Sequence, residues 1–128
     1  MRAKITLPKS MSWREFGTCR WCGLQVLGKD GNINKRRLWH PECSAIYMIA
    51  TRPGFARKAL RKRDKKICAV CGVKCNSTDK PWEADHILPL WKSGGKHEFF
   101  DLSNLQTLCV SHHNAKTVID MIEYRKSR

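Results

Sequence analysis

The sequence has no long apolar run. No segment approaches the length of a transmembrane helix, and the opening Met-Arg-Ala-Lys-Ile-Thr-Leu-Pro lacks the apolar stretch of a signal peptide. These absences argue against a membrane-spanning or secreted protein and predict an intracellular one, cytoplasmic if prokaryotic or phage-encoded. A chain of 128 residues has room for one ordinary domain or two small metal-stabilised modules, which excludes a large enzyme core.

Acidic residues are also scarce. Asp and Glu number 11 against 25 Lys and Arg, which gives a formal net charge of +14 spread from Arg2 to Arg128. A polyanionic partner is expected, and nucleic acid fits best because counterion release from phosphates favours distributed basic side chains. On charge alone, the alternatives are a basic protein without such a partner and one that sits on an anionic membrane.

The seven cysteines are spaced as metal ligands. A reducing compartment disfavours a disulfide framework, and an odd number of cysteines cannot pair completely within one chain. Two Cys-x-x-Cys pairs are each followed by a second pair at the same spacing, an arrangement typical of tetrahedral structural zinc. The first cluster is Cys19, Cys22, His40 and Cys43, and the second is Cys68, Cys71, Cys109 and His112. The alternative is that these residues belong to a core. Cys75 is left over, either buried or competing with Cys71 as a ligand.

Hydrophobic periodicity and turn residues predict helices at both ends of a short two-stranded region. Ser44–Lys66 is expected to be helical in two pieces broken by Pro53-Gly54, the second with an apolar stripe of Phe55, Ala59 and Leu60. Strands are predicted at Trp82–Leu88 and Leu105–Leu108, with a loop over 89–103. Val110–Arg125 is predicted to be a helix with an apolar face of Val118, Ile119 and Ile122. Ser12 and Glu15 have capping-box spacing. Trp21, Trp39 and Trp82 are expected in the core, and His97 at the surface.

A further set of polar residues lies between the two halves of the second cluster. Asp85 and His86 sit in the first predicted strand, Asn104 precedes the second, and His113 follows the ligand His112. Successive strand residues point to opposite sides, so Asp85 and His86 are expected to have different roles. Consecutive helix residues diverge by about 100 degrees, so His112 and His113 are expected to serve different ions.

This ordered set, from Lys66 to about Arg125, closely resembles the HNH endonuclease family. The resemblance implies an α+β fold with a ββα-metal (His-Me finger) core braced by zinc and preceded by a small zinc-binding module. Many members have Cys where His112 stands, and zinc accepts either residue. The Arg36–Cys43 stretch ahead of it is similar to HNH domains attached to certain annealing helicases.

The resemblance implies a metal-dependent endonuclease. Asp85 and His113 would hold a catalytic Mg²⁺ or Mn²⁺, with water and phosphate oxygens at the remaining positions. His86 is the expected general base, since an imidazole with a pKa of about 6.5 is largely neutral at physiological pH. Asn104 would orient His86 through a hydrogen bond. The alternatives are a non-catalytic, zinc-dependent nucleic-acid-binding module and a scaffold within a larger assembly.

DNA, double-stranded and gripped mainly through its backbone, is the expected partner, and the oligomeric state is left open. Lys116 falls one turn after His113 and is either a phosphate contact or a solvated lysine. Further candidate contacts, or simply solvated side chains, are Arg57, Arg61, Lys92 and Lys96. Glu83 is expected at the surface rather than as an extra ligand.

The predicted organisation has four parts. Residues 1–17 are a lead-in, 18–45 an N-terminal zinc module, 46–66 a basic helical connector and 67–126 the HNH nuclease domain.

Overall fold

The computed structural model describes residues 3–128. Its helices are α1 (Pro41–Thr51), α2 (Pro53–Asp64) and α3 (Val110–Lys126), and its strands are β1 (Trp82–His86) and β2 (Leu105–Cys109). The strands pair antiparallel, with Asp85 opposite Gln106. Because α3 follows β2 directly, hairpin and helix form the expected ββα unit, and the α+β prediction is confirmed. Within residues 3–128 no helix is long and apolar enough to span a membrane.

The break between the first two helices lies at Arg52, whose backbone is extended. Proline disfavours the helical conformation of the residue before it and suits the first helical position, so Pro53 ends α1 and begins α2. The predicted two-piece helix is therefore confirmed. α1 also begins with a proline, at Pro41, and it runs through residues 45 and 46, where a module boundary was expected.

The predicted apolar stripe of α2 is wrong in part. Ala56 and Leu60, one turn apart, are the residues buried in the core, whereas Phe55 is 45% exposed. Phe55 lies instead below the guanidinium of Arg52, 6.0 Å from its ring centre. The buried face of α2 is therefore centred on Ala56 and Leu60, one residue away from the Phe55–Ala59 pair that the predicted stripe placed there.

The apolar face predicted for α3 does not pack against the rest of the chain. Val118, Ile119 and Ile122 are 58%, 63% and 48% exposed. The helix turns a different face inward, on which Lys116 and Asp120 form an i,i+4 ion pair at 2.7 Å. The boundaries predicted for this helix were nevertheless correct to within one residue.

Two further expectations about local structure need correction. Ser12 does not begin a helix, because a 3-10 turn over Lys9–Ser12 ends there and the Ser12 hydroxyl donates to the Lys9 carbonyl. The 89–103 loop contains three short 3-10 turns, at Leu90–Lys92, His97–Phe100 and Leu102–Asn104.

Two small cores hold the chain together. One surrounds the first cluster and contains Cys19, Trp21 and Val26, with Trp39 packed against it. The other lies under the hairpin and contains Ala56, Leu60, Cys75, Trp82 and Leu105. The expected core positions of the three tryptophans are confirmed. His97 is not merely at the surface, since its ring meets that of Trp21 edge-on at 5.0 Å and so joins the 89–103 loop to the N-terminal module.

Candidate active site and metal centres

The structure brings together both predicted sets of four Cys and His ligands. In each set the ligand atoms lie within 4.8 Å of one another. Cys22 Sγ is 3.4 Å from His40 Nδ1, and Cys109 Sγ is 3.2 Å from His112 Nδ1. Such separations fit one tetrahedral zinc ion, with bonds of about 2.3 Å to sulfur and about 2.0 Å to nitrogen.

Each cluster is built from a tight turn and a helix N-terminus. Gly23 donates to Cys19 and Gly72 donates to Cys68, both at 2.9 Å, and both glycines have positive φ, which suits the closing position of the turn. The second pair of ligands occupies the N-cap and the third residue of a helix, α1 in the first cluster and α3 in the second. The partial positive charge of a helix N-terminus favours thiolates there.

The thiols of the first cluster differ in acidity. Burial raises the pKa of Cys19, but backbone N–H groups of Cys22, His40 and Trp21 outweigh it and lower that pKa to about 6. Burial and the neighbouring sulfurs raise the pKa of Cys43 to about 12. His40 Nε2 lies 3.0 Å from the carbonyl of Gln25, which leaves Nδ1 for the metal.

Cys75 lies outside both clusters. It is 2% exposed in the core beneath the hairpin, and burial raises its pKa. Of the two alternatives for this residue, burial is correct.

Asp85 and His113 face each other across a cleft of about 200 Å³. Asp85 Oδ1 is 3.6 Å from His113 Nδ1, a separation at which both atoms can bind one ion. Within the described residues His113 Nδ1 is buried without a hydrogen-bond partner. Because a buried polar atom is normally paired, an unpaired imidazole nitrogen beside a carboxylate suits the coordination of a cation.

The other carboxylate oxygen of Asp85 is already occupied. Gln106 Nε2 donates to Oδ2 at 3.0 Å, and Lys116 Nζ lies 3.2 Å from it. Lys116 also donates to the backbone oxygen of His86 at 2.9 Å and to Asp120 at 2.7 Å. Oδ1 is therefore the oxygen of Asp85 that remains available to an ion.

His86 lines the same cleft at the end of β1. Burial lowers its pKa, the charge of Asp85 opposes that shift and the charge of Lys116 adds to it. A lowered pKa keeps the imidazole neutral near pH 7, the form that accepts a proton.

The hydrogen bonds of the Asn104 side chain go to Leu88 and Phe99 rather than to the ring of His86. Its amide oxygen accepts from Leu88 N at 2.9 Å, and its amide nitrogen donates to the carbonyls of Leu88 and Phe99. Asn104 thus holds the chain that leaves β1. The expected hydrogen bond to His86 is replaced by contacts that fix the segment immediately after it.

The predicted nucleic-acid contacts differ in their surroundings. Arg61 and Lys96 are exposed, whereas Lys92 is paired with Glu123 at 2.6 Å. Arg57 lies over the Trp82 ring at 4.1 Å and 3.8 Å from Glu83, so Glu83 is a surface residue, as expected.

Sequence reasoning missed three residues that shape the site. The strand register could have identified Gln106, because it pairs with Asp85. Asp120 could have been identified from its i,i+4 spacing to Lys116, once Lys116 is known to lie in the site. Arg63 belongs to the basic run of the connector, yet it donates to the carbonyls of Leu102 and Leu105 and so ties α2 to the start of β2.

The sequence comparisons address this same region of the chain. Residues 68–118 match the family model described as HNH endonuclease. No curated protein and no solved structure matches the chain. The matched segment holds the second cluster together with Asp85, His86, Asn104 and His113, so this segment of the chain is similar to the HNH endonuclease family.

Proposed function

We propose that the protein is a metal-dependent endonuclease that hydrolyses phosphodiester bonds in DNA. The observation that supports this most strongly is the cleft in which Asp85 Oδ1 faces the unpaired Nδ1 of His113 at 3.6 Å, with His86 on the same wall. One oxygen and one nitrogen donor, with room for water and phosphate oxygens, suit Mg²⁺ or Mn²⁺. When bound, that ion supplies stabilisation of the negative charge on the phosphate.

The residues in and around the cleft have different roles in the proposed reaction. Neutral His86 takes a proton from the attacking water, which displaces the 3′ oxygen in line and leaves a 3′-hydroxyl and a 5′-phosphate. Gln106 and Lys116 hold Asp85 Oδ2, so that Oδ1 stays directed at His113. Asn104 fixes the segment after His86 and thereby limits the movement of its backbone.

Basic side chains of the chain would bind the DNA backbone. Lys116 lies closest to the site, and the exposed Arg61 and Lys96 are free to contact phosphates. Lys92 and Arg57 can do so after exchanging their carboxylate partners for phosphates. Phosphate contacts of this kind favour loose sequence recognition of double-stranded DNA.

Two structural zinc ions complete the proposed set of cofactors. The four-ligand sets Cys19-Cys22-His40-Cys43 and Cys68-Cys71-Cys109-His112 have the donor chemistry and the spacing of such sites. Metal analysis of the purified chain should find about two zinc ions per molecule, and a value near one would remove the N-terminal site.

Cleavage of supercoiled plasmid tests the proposal. We expect the zinc-loaded protein to nick or linearise it in Mg²⁺ or Mn²⁺, and His86→Ala to bind DNA equally but cut about 10²- to 10⁴-fold more slowly because the general base is lost. His97→Ala is the matched control, since that histidine packs on Trp21 outside the cleft. Intact plasmid under every metal, from folded and zinc-loaded protein, would favour the non-catalytic nucleic-acid-binding module instead.

A further inference from the structure

A second cavity, which His86 also lines, adjoins the cleft. It has a volume of about 380 Å³ and is formed where the α1–α2 junction meets β1. Its walls are largely apolar and include Ile49, Leu90, Phe100 and Leu105. The volume falls within the range of small-ligand pockets, roughly 300–1,000 Å³.

His86 connects this cavity to the catalytic cleft. Ala84, His86 and Leu90 line both spaces, so the apolar pocket adjoins the proposed metal site at these three residues. The ring of Phe100 stands edge-on to His86 with 6.4 Å between the ring centres. A group that entered the pocket would therefore lie immediately beside the general base and next to an aromatic face.

The rim of the cavity carries positive charge. Arg52 and Arg57 both line it and are both exposed. Glu83, 3.8 Å from Arg57, is the acidic residue at the same rim. Two arginines at the mouth of an apolar pocket suit a ligand with an anionic backbone and a flat, apolar body.

We propose that this cavity is a subsite for one unpaired nucleobase of the DNA strand being cut. The proposal rests on the proposed function, because the adjoining cleft, which His86 also lines, is where the scissile phosphate would lie. A base buried in an apolar pocket gains from stacking on an aromatic side chain, while arginines hold the adjacent phosphates. A paired base cannot enter, since its edge is bonded and its faces are stacked in the duplex.

The subsite has two consequences for substrate choice. Extruding a base costs a few kcal/mol in a regular duplex and least where the base is already unpaired, so a duplex with a single-nucleotide bulge should bind more tightly than a fully paired one. Thr51, Glu83 and His86 are the polar side chains other than arginine at the walls, so the identity of the base should matter little.

Binding without a catalytic ion tests the subsite separately from cleavage. The zinc-loaded full chain is titrated, in the absence of Mg²⁺ and Mn²⁺, against fluorescently labelled paired and bulged duplexes of one sequence. We expect the bulged duplex to bind about ten-fold more tightly, the scale of one stacking contact. With 2-aminopurine at the bulge, we expect the bound base to be shielded from acrylamide quenching.

Three variants separate the pocket from general effects. Phe100→Leu removes the aromatic wall and Thr51→Trp fills the space, so both should reduce the preference to about two-fold or less and restore quenching. Phe16→Leu changes an exposed phenylalanine that does not line the pocket and should keep the preference. Zinc content and circular dichroism confirm that each variant is folded.

Other results would overturn the subsite. Equal and tight binding of both duplexes by the wild type would contradict the subsite but would not contradict the proposed nuclease activity. A preference that survives both Phe100→Leu and Thr51→Trp would place the unpaired base elsewhere. Binding of neither duplex would overturn the subsite and the proposed function together.

Discussion

The two Cys/His clusters are built alike but enclose different structures. Each takes two ligands from a Cys-x-x-Cys-Gly turn and two from the start of a helix. Between the turn and the helix, the N-terminal module has only short bridges, such as Leu27 with Ile33. The second cluster holds the β1–β2 hairpin between its halves. The same arrangement of four Cys/His side chains is therefore common to both regions, and the two regions differ in the structure enclosed between the halves of the cluster.

The helices that leave the two clusters differ at matching positions. Ser44 follows the last ligand of the first cluster, where His113 follows that of the second. Three residues further, Tyr47 packs on Trp39 with ring centres 5.2 Å apart, whereas Lys116 reaches Asp85 and Asp120. Matching positions on the two helices thus belong to an aromatic core in α1 and to a polar cleft in α3.

Removing a ligand from each cluster should have unequal effects on cleavage. Structural zinc contributes about 10–16 kcal/mol of apparent binding energy, comparable to the whole stability of a domain. Cys109→Ser should therefore lose one zinc ion, unfold the ββα unit and abolish cleavage. Cys22→Ser should also lose one zinc ion but retain cleavage within about ten-fold, because Cys22 lies outside the ββα unit that carries the proposed active site.

Zinc content, thermal unfolding and plasmid cleavage of both variants measure this difference. Equal loss of activity in the two would mean that the N-terminal module is part of the catalytic unit rather than a separate clamp.

Lys116 should affect metal binding and cleavage in opposite directions. Its ammonium lies 3.2 Å from Asp85 Oδ2 and repels a second cation. Lys116→Met should bind Mn²⁺ about ten-fold more tightly, by calorimetry, because that repulsion is lost. It should cut DNA at least about ten-fold more slowly, because a phosphate contact is lost and Asp85 is less firmly held.

Lys92→Met is the matched control for metal binding, since Lys92 pairs with Glu123 outside the metal site. Weaker Mn²⁺ binding by Lys116→Met would show that orientation of Asp85 outweighs charge repulsion.

The smallest effect concerns stability in acid. A hydrogen bond from Arg63, supported by the Thr107 hydroxyl, lowers the pKa of Asp64. Its stabilising contribution is therefore complete above the unfolded pKa of about 3.9 and is lost as the pH falls through the lower folded value. Asp64→Asn should reduce the free energy of unfolding by about 1–2 kcal/mol at pH 7 and flatten its decline below pH 4.

Urea unfolding between pH 2.5 and 7 measures the change, with Asp30→Asn as the control in the N-terminal module. Both side-chain oxygens of Asp30 accept from the nearby, exposed Asn32, so its substitution should change stability less. If the free energy of unfolding of Asp64→Asn falls with pH just as that of the wild type does, Asp64 does not contribute to the loss of stability in acid.

The sequence was most informative where chemistry restricts spacing. Ligands separated by two residues can come from one turn or one helix start, so Cys19 and Cys22, or Cys109 and His112, are recognisable without a structure. The divergence of His112, in the second cluster, from His113, beside Asp85, followed from helix geometry. The separate roles of Asp85 and His86 stay a prediction, since both line the cleft. The ββα order likewise followed from local periodicity.

Tertiary relations were not predictable in the same way. The apolar pattern of Val118, Ile119 and Ile122 predicted a helix but not that its polar face would turn inward. Asn104 was expected to contact His86, but the 3-10 turns of the loop bring its side chain to Leu88 and Phe99. The contact of His97 with Trp21 depends on packing between distant segments, for which no local pattern exists.

The difference between the two helix starts provides the most direct test. His113→Ala and Ser44→Ala change the residue after the last zinc ligand in each cluster. Their rates of plasmid cleavage in Mn²⁺ should be compared at equal zinc content. We predict that His113→Ala cuts at least about 10²-fold more slowly than the wild type, because a proposed ligand of the catalytic ion is removed. We predict that Ser44→Ala cuts like the wild type. Wild-type cleavage by His113→Ala would contradict the assignment of Asp85 and His113 as the catalytic metal site.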